Sequence, residues 1–162
     1  MAAKTESPRR RGGRPQWVRG LPPIAGRDAR ILILGSMPGV ASIRAAAYYA
    51  HPRNHFWPIL AALYGIDLRL SYADRVARLI RARVAVWDVL GQCARDGSLD
   101  AAIELESAVA NDLGKFLRAH RAIQRIAFKG ALARQHFRRQ WETAVLAVRP
   151  TLQLLALPST SP

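Results

Sequence analysis

Four short apolar runs constrain the fold of this chain more than any other feature of its sequence. They cover residues 31–34, 84–87, 126–128 and 152–157. Continuous apolar residues over so few positions are typical of strands that are buried on both faces. Enough chain separates each run from the next to form a helix, and parallel strands require such crossover connections. The sequence therefore predicts an α/β sandwich around a short, mainly parallel four-stranded sheet.

Helices are predicted between these strands, over residues 54–64, 72–81, 108–119 and 131–139. In open α/β sheets, ligands bind beyond the carboxyl ends of the strands. Two loops fall at that edge: Gly-Ser-Met-Pro-Gly at 35–39 follows the first strand, and Leu-Pro-Ser-Thr-Ser-Pro at 157–162 follows the last. We therefore expect one cleft that is formed by segments far apart in the chain.

The charge of the chain favours a polyanionic partner. Lys and Arg number 25 against 11 Asp and Glu, which gives a formal net charge of +14. Such an excess favours nucleic acid over an acidic metabolite, with an anionic membrane surface as the second choice. Residues 1–25, rich in Gly, Pro and Arg, are predicted to form a flexible basic arm. The remaining residues, 26–162, are predicted to form one folded domain.

Other patterns argue against several classes of protein. Cys93 is the only cysteine, so it cannot form an intramolecular disulfide, and no His and Cys spacing predicts a metal site. The sequence shows neither a secretory signal nor an apolar run near the roughly 20 residues that span a bilayer. We therefore expect a soluble, cytoplasmic protein that requires no metal and no other cofactor.

Two segments carry groups suited to chemistry. The glycines of the 35–39 turn let backbone amides approach a ligand, although a sharp turn without a ligand explains this turn equally well. The turn lacks the spacing of a dinucleotide site or a P-loop. Residues 48–57, Tyr-Tyr-Ala-His-Pro-Arg-Asn-His-Phe-Trp, are the densest cluster of aromatic, amide and basic groups. Such a cluster suits a pocket that stacks an unpaired nucleobase, although Phe56 and Trp57 are more typical of a buried helix face.

Together the two segments resemble the uracil-DNA glycosylase superfamily, most closely its hypoxanthine (deoxyinosine) branch, which is related to the mismatch-specific uracil and thymine glycosylases. Those families pair a Gly-x-Asn-Pro-Gly or Gly-Ser-x-Pro loop with an aromatic-Ala/Gly-x-Pro-x-Asn-x-Phe-Trp segment. The same distance separates Gly35 from Tyr49 here. Residues 157–162 look like the second motif of the superfamily, and 87–100 resemble a segment of the hypoxanthine branch. The resemblance covers residues 29–162 and implies a three-layer α/β/α fold.

The resemblance also implies roles for individual residues. Asn54 is the candidate catalytic residue, which would position water or polarise the scissile bond. Tyr49 would stack on the flipped nucleobase. The other candidate base-binding residues are Gly35, Ser36, Met37 and Lys129. The candidate DNA-binding residues are His51, Arg53, Ser159 and Ser161. For Asp88, which follows the second strand, a turn or helix cap is the more common role; for His51 a structural role is equally plausible.

Three departures from the family pattern affect the expected function. Met37 replaces the catalytic Asn of the mismatch-specific enzymes, Lys129 replaces an Asn of the hypoxanthine branch, and the sequence ends at Pro162, so we expect a domain short at its C-terminal end.

The resemblance implies a monomeric, monofunctional DNA glycosylase that flips out deaminated bases in base-excision repair and removes hypoxanthine first and uracil second. The alternatives are a non-catalytic DNA-binding member of the same fold and a small-molecule nucleotide hydrolase.

Overall fold

The predicted parallel strands are present, together with strands that form a second sheet. The computed structural model describes residues 16–161. In chain order the strands are β1 (Gln16–Arg19), β2 (Ile31–Gly35), β3 (Val84–Asp88), β4 (Leu90–Arg95), β5 (Ile103–Ala110), β6 (Arg125–Lys129) and β7 (Gln153–Leu157). Four of them run parallel in the order β3-β2-β6-β7. The predicted mainly parallel, four-stranded sheet is therefore confirmed.

Helices cover both faces of this sheet. They are α1 (Val40–Arg44), α2 (Phe56–Tyr64), α3 (Tyr72–Arg81), α4 (Leu113–Ala119), α5 (Ala131–Gln140) and α6 (Glu142–Val148). The Ser71 hydroxyl caps α3 by accepting a hydrogen bond from the Asp74 amide, and α2 ends at Gly65, whose φ of 65° lies in the left-handed region. Both termini follow the usual capping chemistry of helices.

The alternation along β2 shows how the three layers form. Leu32 and Leu34 belong to a hydrophobic cluster with residues of α4, α5 and α6. Ile33, which points to the opposite face, belongs to a second cluster with residues of α2 and α3. Because side chains alternate between the faces of a strand, both faces of β2 are covered by helices. The predicted three-layer α/β/α architecture is confirmed.

The structure corrects part of the predicted flexible arm. β1 pairs antiparallel with β4, with Trp17 opposite Ala94. Ile24 is only 8% exposed and exchanges two backbone hydrogen bonds with Val86, at 2.9 and 2.8 Å. Residues 16–25 are therefore part of the fold, because their backbone groups find partners on β3 and β4. Residues 1–15 of the predicted arm lie outside the described residues.

The predicted helix at 108–119 is also wrong in its first half. β5 extends through Ala110 and pairs antiparallel with β4, so β1, β4 and β5 form a three-stranded second sheet. The helix α4 begins only at Leu113, where the Asp112 carboxylate accepts a hydrogen bond from the Lys115 amide at 2.8 Å. Within residues 16–161, no helix combines the length and the apolar character that crossing a membrane requires.

Candidate active site

A cleft of about 850 Å³ lies at the carboxyl ends of β2, β3 and β6, which is the expected position for a ligand in this architecture. Five parts of the chain supply most of its lining, at residues 35–42, 48–54, 98–101, 129–135 and 159–161. The cleft thus joins the glycine loop (residues 35–39) to the terminal loop (residues 157–161), as the sequence predicts. In the described part of the chain, no cluster of three or more His, Cys, Asp or Glu side chains is placed to hold a metal ion.

Gly35 lies between two polar groups at the bottom of this cleft. It is the register partner of Asp88 on β3. A Cβ atom added to Gly35 would lie 2.4 Å from Asp88 Oδ1 and 3.2 Å from the Tyr49 hydroxyl. A carbon and an oxygen atom that are not bonded to each other cannot lie 2.4 Å apart, so only glycine leaves room for the Asp88 side chain here. The glycine therefore permits the close approach of Asp88 and Tyr49 beneath the loop.

The β4–β5 connection holds the glycine loop in place. Ser36 donates from its hydroxyl to Asp100 Oδ1 at 2.6 Å, and the Val40 amide donates to Ser98 Oγ at 2.9 Å. The Arg95 guanidinium, only 1% exposed, donates to the Pro38 carbonyl at 2.6 Å. These bonds join two segments about sixty residues apart in the sequence, and they fix the position of the loop backbone over the cleft.

Asp88 is a buried carboxyl group without a full set of partners. It is 3% exposed, and its Oδ2 atom is buried with no hydrogen-bond partner among the described residues. Burial raises the pKa of Asp88 to about 7, with a smaller upward contribution from Asp100 and opposing contributions from Lys129, Arg95 and the nearby Tyr48 hydroxyl. The role of a turn or helix cap is therefore wrong for this side chain, because it faces the cleft instead of a backbone amide.

Tyr49 is enclosed on both faces of its ring. Its φ of 56° lies in the left-handed region, which is uncommon for a bulky residue and turns the side chain into the cleft. Phe56 stacks on one face at a centroid distance of 3.8 Å, and Lys129 Nζ lies over the ring at 4.5 Å from its centroid. Burial raises the pKa of the Tyr49 hydroxyl, which has no hydrogen-bond partner within residues 16–161, and lowers the pKa of Lys129.

Asn54 connects the aromatic segment (residues 48–57) to the terminal loop. Its Oδ1 accepts hydrogen bonds from the Phe56 amide and the Thr160 hydroxyl, both at 2.9 Å. The His55 amide reinforces this contact by donating to the Thr160 carbonyl at 3.0 Å. Because a backbone N–H can only donate, the orientation of the Asn54 amide is fixed, and its NH₂ group is the end left for a ligand.

The candidate DNA-binding residues surround the mouth of the cleft. His51 Nδ1 accepts a hydrogen bond from the Arg53 amide at 3.2 Å, which leaves the other ring nitrogen to donate. Ser159 Oγ accepts from the Ser161 amide at 3.1 Å. His51, Ser159 and Ser161 line the cleft, whereas Arg53 is exposed beside it and contributes no lining atom.

Comparison with known families agrees with this architecture. Residues 22–162 match the family model described as the Uracil DNA glycosylase superfamily. The chain belongs to the uracil DNA glycosylase superfamily. The match covers the whole cleft, from the glycine loop to the terminal loop.

Individual relatives within the superfamily are consistent with this assignment. A hypoxanthine DNA glycosylase of Methanosarcina barkeri (strain Fusaro / DSM 804) is 42% identical over 88 residues, which are 54% of this chain and 56% of that protein. A hypoxanthine DNA glycosylase of Methanosarcina acetivorans is 33% identical over 119 residues, which are 73% of this chain and 74% of that protein. The match to the M. barkeri protein thus spans little more than half of that protein.

A solved structure shows the same fold. The solution NMR structure of a Methanosarcina acetivorans protein assigned to the uracil DNA glycosylases matches with a TM-score of 0.74 and 30% sequence identity, over 90% of this chain and 86% of that chain. The predicted resemblance to the superfamily is confirmed.

The superfamily cleft brings together nearly all residues that the sequence singles out. The lining includes Gly35, Ser36, Met37, Tyr49, His51, Asn54, Lys129, Ser159 and Ser161. Phe56 and Trp57 are buried in the core, as the alternative interpretation of these two residues predicts. The roles assigned to the lining residues in catalysis and DNA binding stay predictions.

Asp88 lines the cleft although a capping role was expected for it, and Ser98 and Asp100 contact the glycine loop although the sequence did not predict these contacts. Asp88 is the last residue of β3 and lies in register with Gly35, so its place at the strand end already indicated the cleft. Ser98 and Asp100 reach the glycine loop only because β4 and β5 fold into a hairpin. No local signal in the sequence marks those two contacts.

Proposed function

We propose that this protein is a monofunctional DNA glycosylase that hydrolyses the bond between a flipped-out, deaminated nucleobase and its deoxyribose. Hypoxanthine is the proposed first substrate and uracil the second, and the protein is proposed to act as a monomer. The observation that carries the proposal is the cleft itself, in which the Tyr49 ring, the buried Asp88 carboxyl and the Lys129 ammonium lie around one space. The hypoxanthine DNA glycosylases among the relatives favour the same substrate.

The rim of the cleft is suited to the sugar-phosphate backbone next to the flipped nucleotide. The free N–H groups of Asn54 and His51 and the Ser159 hydroxyl are hydrogen-bond donors at its mouth. Phosphate oxygens accept such bonds, and the net charge of +14 adds long-range attraction to DNA. Donors at the rim would hold the backbone while the nucleobase enters the cleft.

The geometry of Asn54 narrows its part in the chemistry. Hydrolysis breaks the bond between C1′ and the base nitrogen, with the electron pair leaving on the nucleobase. The oxygen of water then bonds to C1′, one water proton is released, and the departing nucleobase takes up a proton. Because the Asn54 oxygen is already occupied by Phe56 and Thr160, we propose that its NH₂ group donates to the leaving nucleobase or to a flanking phosphate.

In this proposal, Lys129 stabilises the leaving nucleobase electrostatically. Its ammonium lies over the Tyr49 ring inside the cleft, where a positive charge stabilises the negative charge that develops on the leaving nucleobase. A lyase would instead use a lysine to attack C1′ and form a Schiff base. Borohydride treatment during turnover would trap such an adduct, and we expect no trapped protein–DNA species.

The activity is tested with labelled duplexes that contain one deoxyinosine or one deoxyuridine, followed by alkali and gel analysis. We expect strand cleavage at deoxyinosine, slower cleavage at deoxyuridine, and none in a matched duplex with deoxyadenosine. Asn54→Asp retains the acceptor oxygen and removes the N–H donors, so we expect the rate to fall by roughly 10²-fold. Thr160→Val is the matched control, because it removes only the hydrogen bond to Asn54, and we expect it to retain most of the activity.

Absence of cleavage at both deoxyinosine and deoxyuridine, combined with binding that weakens steeply as salt increases, would instead support a non-catalytic DNA-binding protein. Met37 favours this second candidate, because it places a buried thioether where the mismatch-specific relatives carry their catalytic Asn. A shallow salt dependence would support a small-molecule nucleotide hydrolase.

A further inference from the structure

We infer that Asp88 and Lys129 act as a pair that binds the lactam edge of the flipped nucleobase, where a ring N–H lies next to a C=O group. Asp88 accepts from the N–H and Lys129 donates to the oxygen. The pair therefore distinguishes hypoxanthine from adenine and uracil from cytosine. This inference rests on the proposed glycosylase function and assigns the specificity of the same cleft.

The strand register places the two side chains on either side of an open position. Asp88 pairs with Gly35 across β3 and β2, and Lys129 follows Phe128, the partner of Leu34 across β2 and β6. Adjacent strands lie about 4.8 Å apart, so the two Cα atoms are separated by roughly twice that spacing. Gly35 lies between them without a side chain. The missing side chain leaves space for the edge of a planar base between an acceptor and a donor.

The unpaired state of these groups indicates that a ligand completes them. Asp88 Oδ2 is buried and has no partner among the described residues. Lys129 forms no salt bridge in the described structure, and its ammonium lies over the face of the Tyr49 ring at 4.5 Å from the centroid. A nucleobase that stacks on that face must displace the ammonium toward the edge of the base. Stacking on Tyr49 and hydrogen bonding by Lys129 are thus coupled.

The chemistry of the pair matches deaminated bases. A carboxylate only accepts hydrogen bonds, and an ammonium only donates them. Hypoxanthine presents N1–H beside O6, and uracil presents N3–H beside O4. Adenine and cytosine present the reverse pattern, a ring nitrogen lone pair beside an amino group. In the cleft, their lone pair would face the carboxylate and their amino group would face the ammonium, so neither bond could form.

The same pair predicts a dependence on pH. The ionised carboxylate accepts the base N–H more strongly than the protonated acid does, because hydrogen bonds to a charged group are stronger, and burial raises the pKa of Asp88 to about 7 in the empty cleft. The groups that face it are Tyr48 and Tyr49 from the aromatic segment, Lys129 from β6, and Arg95 and Asp100 from the β4–β5 hairpin. Protonation removes the negative charge and turns one of the two acceptor oxygens of Asp88 into a donor, which weakens the bond to the base N–H. Cleavage at deoxyinosine should therefore decrease as the pH falls through about 7.

The experiment compares deoxyinosine with 1-methyldeoxyinosine, which retains the oxygen and lacks the N–H, in single-turnover assays between pH 5.5 and 8.5. For the wild-type protein we expect cleavage of the methylated base to be at least roughly 10²-fold slower, because the acceptor is left unpaired. In Asp88→Asn we expect a slower reaction with a flattened pH profile. The control Glu106→Gln removes one negative charge from an exposed position on β5 outside the cleft, and should match the wild type.

The outcomes separate this inference from the proposed activity. Equal cleavage of the two substrates by the wild type, or an unchanged pH profile in Asp88→Asn, would overturn the inference that Asp88 and Lys129 bind the base as a pair. If the wild type cleaves neither deoxyinosine nor deoxyuridine, the proposed activity fails, and equilibrium binding to the same duplexes tests the pair instead. If the wild type binds deoxyinosine more tightly than 1-methyldeoxyinosine and this preference is smaller in Asp88→Asn, which retains only an uncharged acceptor, the pair is supported. Equal affinities of the wild type for the two substrates would overturn it.

Discussion

The floor and the rim of the cleft contain similar kinds of polar groups in opposite states. At the rim, the Asn54 oxygen, the Ser159 hydroxyl and His51 Nδ1 each accept a hydrogen bond from the protein itself. At the floor, Asp88 Oδ2 and the Tyr49 hydroxyl are buried and have no partner among residues 16–161. Buried polar groups are nearly always hydrogen-bonded, and an unpaired one needs an explanation. The rim thus supports itself, whereas the floor lacks the groups that a ligand would supply.

The largest expected effect on the free energy of unfolding comes from Asp88, at the floor of the cleft. In the folded protein the pKa of Asp88 rises from the ordinary value of 3.8 to about 7. The folded state therefore binds this proton more tightly than the unfolded state, and the free energy of unfolding decreases as the pH rises from about 4 to about 7. Because Asp88→Asn removes the buried charge, we expect it to raise the free energy of unfolding by roughly 2–4 kcal/mol at pH 8. Urea unfolding at pH 8 and at pH 4 measures the effect.

At pH 4 Asp88 is protonated in the folded wild type and about half protonated in the unfolded state, so little of the gain from Asp88→Asn should remain. An equal gain at both pH values would show that the charge at the floor is not the cause. It would also remove the contrast between the floor and the rim.

An effect of opposite sign is expected at the rim. Asn54→Ala removes the acceptor for the Phe56 amide and the Thr160 hydroxyl. We expect the free energy of unfolding to fall by about 1–2 kcal/mol, because a helix-terminal amide and a hydroxyl lose their partner. The loss should be the same at pH 5 and pH 8. Thr160→Val, which breaks only one of these bonds, should cost less, and a gain in stability for either variant would contradict the assignment of the rim.

The smallest expected effect on the free energy of unfolding is that of replacing Lys129, the second charged group at the floor of the cleft. Lys129 lowers the pKa of Asp88, so Lys129→Met should raise the pKa of that carboxyl further while changing the stability by less than about 1 kcal/mol. Titration of the Asp88 carboxyl carbon by NMR measures the shift. The control is Lys115→Met, at a position outside the cleft. An unchanged pKa in Lys129→Met would show that the two groups do not act as a pair.

The sequence predicted the central sheet well because β2, β3 and β6 are buried on both faces and burial of this kind leaves a continuous apolar pattern. The expected burial of the last run is wrong, because β7 lies at the edge of the sheet and most of its residues are exposed. The sequence did not predict β1 and β5. β5 contains Glu104 and Glu106 and is exposed over three consecutive residues, 104–106, so it lacks the alternating pattern of a strand and is equally compatible with a helix. β1 lies among Gly, Pro and Arg residues, and its pairing with β4 joins segments more than seventy residues apart. Such pairing depends on the tertiary structure and leaves no local pattern.

The cleft shows the same division between local and distant information. Motif spacing was sufficient to place the glycine loop, Tyr49 and Asn54 at one site. The occupied oxygen of Asn54 could not be predicted, because its partner Thr160 is 106 residues away. The unpaired state of Asp88 arises from the register of β2 and β3, which places a glycine beside it. Polarity can be taken from the sequence, but hydrogen-bond satisfaction is a property of the packed structure.

The position of Asp88 and Lys129 at the ends of their strands has an evolutionary consequence. Strands β2, β3 and β6 are held together by backbone hydrogen bonds and by side chains nearer the core. A mutation at either terminal position alters the hydrogen-bonding pattern offered to the base without changing the ladder that builds the sheet. Descendants of one ancestral gene could therefore diverge in the lesion they repair through one or two substitutions, while selection on folding preserves the rest of the domain.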